Sequence, residues 1–309
     1  MTEAPNVHPI IDLAMELRLA SFHTNDLHRM SHQSNQVLGK WGESAFYWEK
    51  HRETIQRMFA PITQAMIEDA RIAPDQFVLD VAGGTGEPSL TIAREFGPLV
   101  SIVSTDPVAE MVIAARRESR RRRLTNVTFC RCAGEQLPFE SNRFDRTICR
   151  LGVMFLPDTR GGLQEILRVT RSEGRVTLAV WHNREANPIF HIVTDCLARY
   201  VPLPPEDPGA PDPFRFAGLG VLARLLRQAG AEEVTERLFQ FSIEAPLSID
   251  QFWTVRSEMS ETLRDKLAQL TSEQLIQLSE EVKEAVRPFF AEDRMRFPAE
   301  VILVTGKKR

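Results

Sequence analysis

Cysteine is scarce in this chain of 309 residues: there are four, Cys130, Cys132, Cys149 and Cys196. They are too few and too clustered for a disulfide framework in a protein of this length. Cys130 and Cys132 stand two apart, on one face of a strand, but no second ligand pair follows. The expectation is therefore reduced core thiols and no metal. Long apolar runs are missing too: none reaches about 18 residues, so no membrane span is expected. The first twenty residues carry acids and lack a long apolar stretch before a cleavage-like site, so they do not read as a signal peptide. The cytoplasm is the expected compartment. Nor does one sign of charge dominate. With 42 acidic and 38 basic residues the net charge is −4, which excludes a surface built wholly for nucleic acid. No internal repeat is visible, and tyrosine is confined to Tyr47 and Tyr200.

What remains is ordinary globular material, 43% hydrophobic and 26% charged, long enough for two domains or one large decorated domain. From Gln76 to Trp181 short apolar runs alternate with helical stretches: FVLDVA (77–82), LVSIVSTD (99–106), NVTFC (126–130), FDRTIC (144–149) and GRVTLAVW (174–181). Runs of that length suit strands buried on both faces, and the spacers admit helical crossovers, so an α/β doubly wound sheet is expected. Residues 1–75 have helical spacing, with a break expected at Pro61. Six prolines make 202–213 a loop. A helix over 218–230, a strand from Val234, helical spacing over 248–290 and a closing β run over 299–308 complete the chain. Because the late strands are interrupted by about fifty helical residues, that insertion reads as a cap over the sheet. The last strand, 299–306, is expected to be antiparallel and inserted beside the fifth, since the edge is already taken by 233–243.

The most informative segment is VLDVAGGTGEPSL, 78–90. A strand ends at Asp80, a turn follows with Gly83, Gly84 and Gly86, and a helix begins near Pro88. In doubly wound sheets ligands bind beyond such a first strand, and glycine lets the backbone approach them closely. Twenty residues after Gly86 the second strand ends in Asp106, placed to accept both hydroxyls of a ribose. By that rule alone a nicotinamide dinucleotide fits equally well. The turn argues otherwise: it lacks G-x-G-x-x-G spacing, and Glu87 is a poor neighbour for a pyrophosphate. Asp80 and Glu87 suit a ligand carrying positive charge.

With STDPVAEMV, AGEQLPFESNRFDRTICRLGVMFLPD, EILRVTRSEGRVTLAVW and VILVTGKK added, the chain resembles the class I S-adenosylmethionine-dependent methyltransferases. Within them it is similar to the branch of the ubiquinone/menaquinone C-methyltransferases. The resemblance is strong over 70–181 and holds in outline over 218–309. It implies a Rossmann-like, seven-stranded, mostly parallel sheet, S-adenosyl-L-methionine as cofactor and methyl transfer as the reaction. It assigns Asp80 and the turn Ala82, Gly83, Gly84 and Gly86 to the methionine half of the cofactor, and Asp106 to the ribose. Pro107 and Met111 border the adenine, Gly134, Glu135 and Gln136 line its edge, and Arg150 and Leu151 face the methionine end. Two positions depart from the pattern: Ala82 stands where the family has its first glycine, and Ala133 where it often has an acid.

WGESAFYWEKH (41–51) places Trp41, Phe46, Tyr47 and Trp48 on a helix just before the fold. It reads as a lid over the cofactor, with the Tyr47 hydroxyl as its polar contact. Residues 1–70 would form that helical lid, and 71–309 the methyltransferase domain, with cap insertions at about 182–217 and 246–297. Phe190, Phe214, Phe216, Phe252 and Trp253 fall in those insertions, with Arg215 and Arg256 among them and Arg150 in the core. Enclosure by aromatics suggests a small, largely apolar acceptor, a quinol, phenol or polyketide/terpenoid-type metabolite, methylated on carbon or oxygen. His182 and His191 are the candidate bases. His8, His23, His28, His32 and His51 precede the core, and the His28–His32 pair lacks a third ligand. The run RRESRRRR (116–123) keeps an RNA methyltransferase open, and a cofactor-binding interaction protein without catalysis is the third reading. Nucleic acid is not the expected partner, and oligomeric state, homodimer included, is left open.

Overall fold

The computed structural model describes residues 32–202 and 211–309. Two helices come first, α1 (His32–Lys50) and α2 (Arg52–Ala70). The alternating region follows as β1 (Gln76–Val81), α3 (Ser89–Phe96), β2 (Val100–Asp106), α4 (Ala109–Arg121), β3 (Val127–Arg131), β4 (Phe144–Arg150), α5 (Thr159–Val169) and β5 (Thr170–Trp181). Then come α6 (Pro188–Leu197), α7 (Val221–Gln228), β6 (Ala231–Ala245), α8 (Ile249–Met259), α9 (Glu261–Leu267) and α10 (Ser272–Val286). A two-residue β7 (Phe290–Ala291) and the long β8 (Arg294–Lys308) end the chain.

The strands lie in the order β3-β2-β1-β4-β5-β8-β6. Pairing is parallel from β3 to β5 and antiparallel on both sides of β8. The expected insertion of an antiparallel last strand beside the fifth is found. The sheet has eight strands rather than seven because β7 pairs with the start of β8. Two residues carry no strand pattern, so the sequence could not show it.

Every residue of β2 and all but the first of β1 are buried, which requires cover on both faces and explains the unbroken apolar runs. β6, at the edge, instead exposes Glu232, Glu233 and Glu244, and charge on an edge strand discourages pairing with another chain. β5 stops at the pair Trp181–Val301, while the β6–β8 ladder continues to Ala245–Met295. This ribbon projects beyond the sheet and carries α8, α9 and α10. Ser248 and Thr271 start α8 and α10 with reciprocal capping boxes. The cap is fastened by aromatics: Phe297 of β8 stacks on Phe289 at 4.4 Å and on Phe252 at 5.4 Å between centroids.

Pro61 does not break the helix. α2 runs through it from Arg52 to Ala70. Its Met58, Phe59, Ile62 and Met66 are buried, and α2 packs across β4, β5, β6 and β8. Burial of several such side chains outweighs the roughly 3 kcal/mol an internal proline costs. The break falls instead at His51, between α1 and α2. The four cysteines are free and buried. Among the described residues no helix is long and apolar enough to cross a membrane. The helix expected over 7–20, His8, His23, His28 and most of the proline-rich loop lie outside the described residues.

Candidate functional site

At the carboxyl ends of β1, β2 and β4, where the strand order reverses, lies a cavity with about 1220 Å³ of atom-free space, its open mouth included. Its floor is the turn after β1. Gly83 donates to the Thr105 carbonyl at 2.8 Å, and Leu90 donates to the Gly86 carbonyl at 2.8 Å, which ties the turn to α3. Gly83 is small for internal reasons, since a Cβ there would lie 2.2 Å from Ser104 Oγ. Gly84 differs: its φ is +56° and a Cβ would meet nothing within 4 Å. The open space beside it is the cavity. Ala82 also holds a left-handed conformation, φ +58°, so the family's glycine has a physical reason that this chain overrides. Gly152, after β4, accommodates that alanine; a Cβ on Gly152 would lie 2.5 Å from the Ala82 methyl.

Asp106 ends β2 beside the turn. Its Oδ2 accepts from Gly84 N and its Oδ1 from Val108 N, both at 2.9 Å, which fixes the carboxylate and leaves one lone pair on each oxygen. Burial raises its pKa to about 6 against those two bonds. Asp80 is fully buried behind the turn, where Ser89 Oγ donates to its Oδ2 at 2.6 Å and Oδ1 has no partner. Burial raises it to about 7. Glu87 lines the cavity with Oε2 unpartnered and Oε1 3.4 Å from Arg122. Opposite charge is supplied by two guanidinium groups on the wall. Arg52 donates to the carbonyls of Thr85 and Ala114. Arg150 donates to Thr63 Oγ1 at 2.7 Å and the Glu87 carbonyl at 3.2 Å. Burial lowers the pKa of both arginines.

Of the residues expected here, Ala82, Gly83, Gly84, Asp106, Pro107, Met111, Gly134, Glu135, Arg150 and Leu151 line the cavity. Asp80, Gly86 and Gln136 do not; Asp80 and Gly86 brace the turn from behind. Tyr47 is absent as well, its ring lying under the Arg264 guanidinium at 4.6 Å. Trp41 and Trp48 stand in its place, Trp41 packed edge-on against Phe155 at 5.2 Å. Helix geometry explains the substitution. Trp41 and Trp48 are seven residues apart and share a face, whereas Tyr47 is turned about 100° from Trp48. His182 and His191 are also missing from the wall. His182 Nδ1 bonds the Ala217 carbonyl at 2.8 Å, and His191 Nδ1 bonds Asp195 at 3.0 Å. The expected bases are thus held by the cap and its entry loop. Arg52, Ile55 and Phe59 join the wall from α2. Their helical spacing was visible, but not that α2 turns this end toward the cavity.

The arginine run is engaged within the chain. Arg116 donates to the Phe129 carbonyl at 2.6 Å, Arg121 and Arg122 bond Glu118, and Arg117 bonds Glu49 of α1. Through Arg117 it clasps α4 to α1, while Arg120 and Arg123 stay exposed.

Comparison with known proteins agrees with this geometry. Residues 78–174 match the family model described as a methyltransferase domain. The uncharacterized methyltransferase YcgJ of Bacillus subtilis is 31% identical over 126 residues, 40% of this chain and 48% of that protein. The ubiquinone/menaquinone biosynthesis C-methyltransferase UbiE of Rhizobium rhizogenes is 34% identical over 104 residues, 33% of this chain and 40% of its own length. The chain spans a little under half the length of the curated relatives it matches. The crystal structure of YcgJ from Bacillus subtilis superposes with a TM-score of 0.52 at 19% identity, over 81% of this chain and 99% of that one. The turn and the acid ending the second strand lie within or beside the matched segment: residues 78–174 match a methyltransferase domain, set in a fold shared with that structure.

Proposed function

We propose that the protein transfers the methyl group of S-adenosylmethionine to a carbon or oxygen of a small, largely apolar molecule, such as a quinol, phenol or polyketide-type metabolite. The observation that carries this reading is the pairing of the open Gly84 backbone and the fixed Asp106 carboxylate with a wall of Trp41, Trp48, Phe59 and Phe155.

The residues fit the cofactor. Asp106 keeps two free lone pairs for ribose hydroxyls. Pro107, Val108 and Met111 offer an apolar slot to the adenine, with Gly134 and Glu135 at its edge. Glu87 and Trp48 each carry a buried polar atom without a partner, as expected of a site completed by a polar ligand. Arg52 and Arg150 supply cations for a carboxylate, and Glu87 supplies a carboxylate for a sulfonium. When bound, S-adenosylmethionine supplies a methyl carbon already electrophilic, so the protein's contribution is alignment and exclusion of water. The helices before β1 and the insertions at 182–217 and 246–297 enclose the acceptor.

The test is calorimetry with S-adenosylmethionine, joined to transfer of labelled methyl onto a panel of quinols and phenols. A carboxylate holding two hydroxyls contributes about 2–4 kcal/mol, so Asp106→Ala is expected to weaken binding at least tenfold. Gly84→Val should do similar damage by filling the approach to the backbone. Unchanged affinity in both variants would move the cofactor elsewhere.

A further inference from the structure

A second cavity, with about 420 Å³ of atom-free space, lies between α2, α6, α8 and the β6–β8 ribbon. Its walls are apolar, among them Met58, Ile189, Phe252 and Met295, and Arg256 of α8 is the one charged residue lining it. Phe59 lines this cavity and the cofactor cavity both, so the two spaces adjoin at that residue.

Arg256 is unlike the other arginines of the interior. Arg52, Arg150, Arg215 and Arg264 all donate to carbonyl or hydroxyl oxygens. Arg256 has its Nε closed off from solvent with no acceptor, and among the described residues its guanidinium has no ion pair. Among the described residues its guanidinium instead faces the Phe190 ring, 5.7 Å from the guanidinium carbon. Glu258, two residues on, is committed to Lys50 at 2.7 Å and His51 at 2.5 Å and does not pair with it. Burial lowers the Arg256 pKa to about 10, so the group stays charged at neutral pH. The residue is half-buried, and its closed-off Nε is a donor whose lost hydration an aromatic face returns only in part.

We infer that the second cavity is the acceptor's binding site and that the acceptor is an apolar carboxylic acid, its carboxylate paired with Arg256 and its far end passing Phe59 toward the cofactor. The carboxylate would receive the bidentate donation that guanidinium geometry favours. The apolar body would replace contact with water by contact with Met58, Phe252 and Met295. This inference rests on the methyl-transfer reading for the identity of the acceptor, but the acid site itself can be tested apart from it.

The experiment is calorimetry of the full chain with decanoate and 1-naphthoate, each against its neutral amide. Wild type is expected to bind the acids at least tenfold more tightly than the amides. Arg256→Gln should abolish that preference while leaving affinity for the amides and for S-adenosylmethionine unchanged, and Arg256→Lys should keep part of it. Equal binding of acid and amide by wild type, or a preference surviving in Arg256→Gln, would overturn the proposal. So would a wild type that binds neither. Cooperative unfolding of each variant confirms that a loss is local. Acid binding in a protein that does not bind S-adenosylmethionine would leave the Arg256 site standing and sink the methyl-transfer reading.

Discussion

A carboxylate held ready for hydroxyls must give up water before the ligand arrives, and Asp106 shows the cost. Burial raises it from 3.8 to about 6, and raises Asp80 to about 7. Both folded-state values lie above the unfolded one, so folding favours the protonated forms. What these groups contribute to stability is fully present below about pH 4 and is lost as pH rises through 6 and 7. Ligand binding has the opposite sense, because hydroxyls need the ionised acceptor. Affinity for S-adenosylmethionine is expected to weaken as pH falls through 6 and to level off above 8; a dissociation constant unchanged from pH 5 to 8 would remove Asp106 from the ribose site. Ala82 carries strain of another kind, a left-handed conformation that costs an L-residue about 1–2 kcal/mol. Ala82→Gly removes it but adds freedom to the unfolded chain, worth about 0.4–1 kcal/mol. A net gain of about 0.5 kcal/mol in denaturant melts is expected, and a loss would mean that the methyl packs usefully against Gly152.

Elements are joined here by a few polar bridges placed where apolar packing thins. Asn187, fully buried at the start of α6, donates Nδ2 to the Asn183 carbonyl at 2.9 Å and the Glu300 carbonyl at 3.1 Å. Its Oδ1 accepts from Glu300 N at 3.0 Å. One side chain thus ties the first cap helix to β8. Asn187→Ala leaves the Glu300 N–H and the Asn183 carbonyl short of this partner, while the Glu300 carbonyl keeps the His182 N–H, and each unsatisfied group costs about 1–3 kcal/mol. Destabilisation of about 2–4 kcal/mol is expected by urea unfolding, with weaker acceptor binding, since α6 supplies Phe190 to the second cavity. A variant as stable as wild type would show that water replaces the amide. At the other end, α1 reaches the cap through Lys50, His51 and Glu258 and reaches α4 through Glu49 and Arg117. The helix bearing Trp41 and Trp48 is thereby set between sheet and cap.

On the scale of the whole molecule, the cap is continuous with the sheet. β6 and β8 run from the sheet into the ribbon without interruption, and Phe252, Phe289, Phe290 and Phe297 bind the cap helices to it. Sheet and cap should therefore melt together in a single thermal transition that coincides by near- and far-ultraviolet circular dichroism. S-adenosylmethionine at about 100 times its dissociation constant should stabilise that transition by about 2.7 kcal/mol. Two resolved transitions would mean that the cap folds as a unit of its own.

The sequence by itself determined the sheet and most of the residues that line the cavity beyond β1 and β2, because both are written in local terms. Strands buried on both faces must be unbroken apolar runs, and the turn must carry Gly84 where the backbone meets open space. The acid must end β2, one strand away from that turn. Asp106, Met111, Gly134 and Arg150 could be placed for this reason. Only the tertiary structure decided what faces what across long separations. α2 runs through Pro61 because the sheet holds it on both sides of the proline. Trp48 takes the position expected of Tyr47 because α1 docks on α4 by one face. His182 and His191 are spent on Ala217 and Asp195, so no histidine among the described residues lines the wall. That Arg256 has no ion-pair partner among the described residues is visible only once α6, α8 and the ribbon close around it, since pairing is a property of the packed chain and of no segment within it.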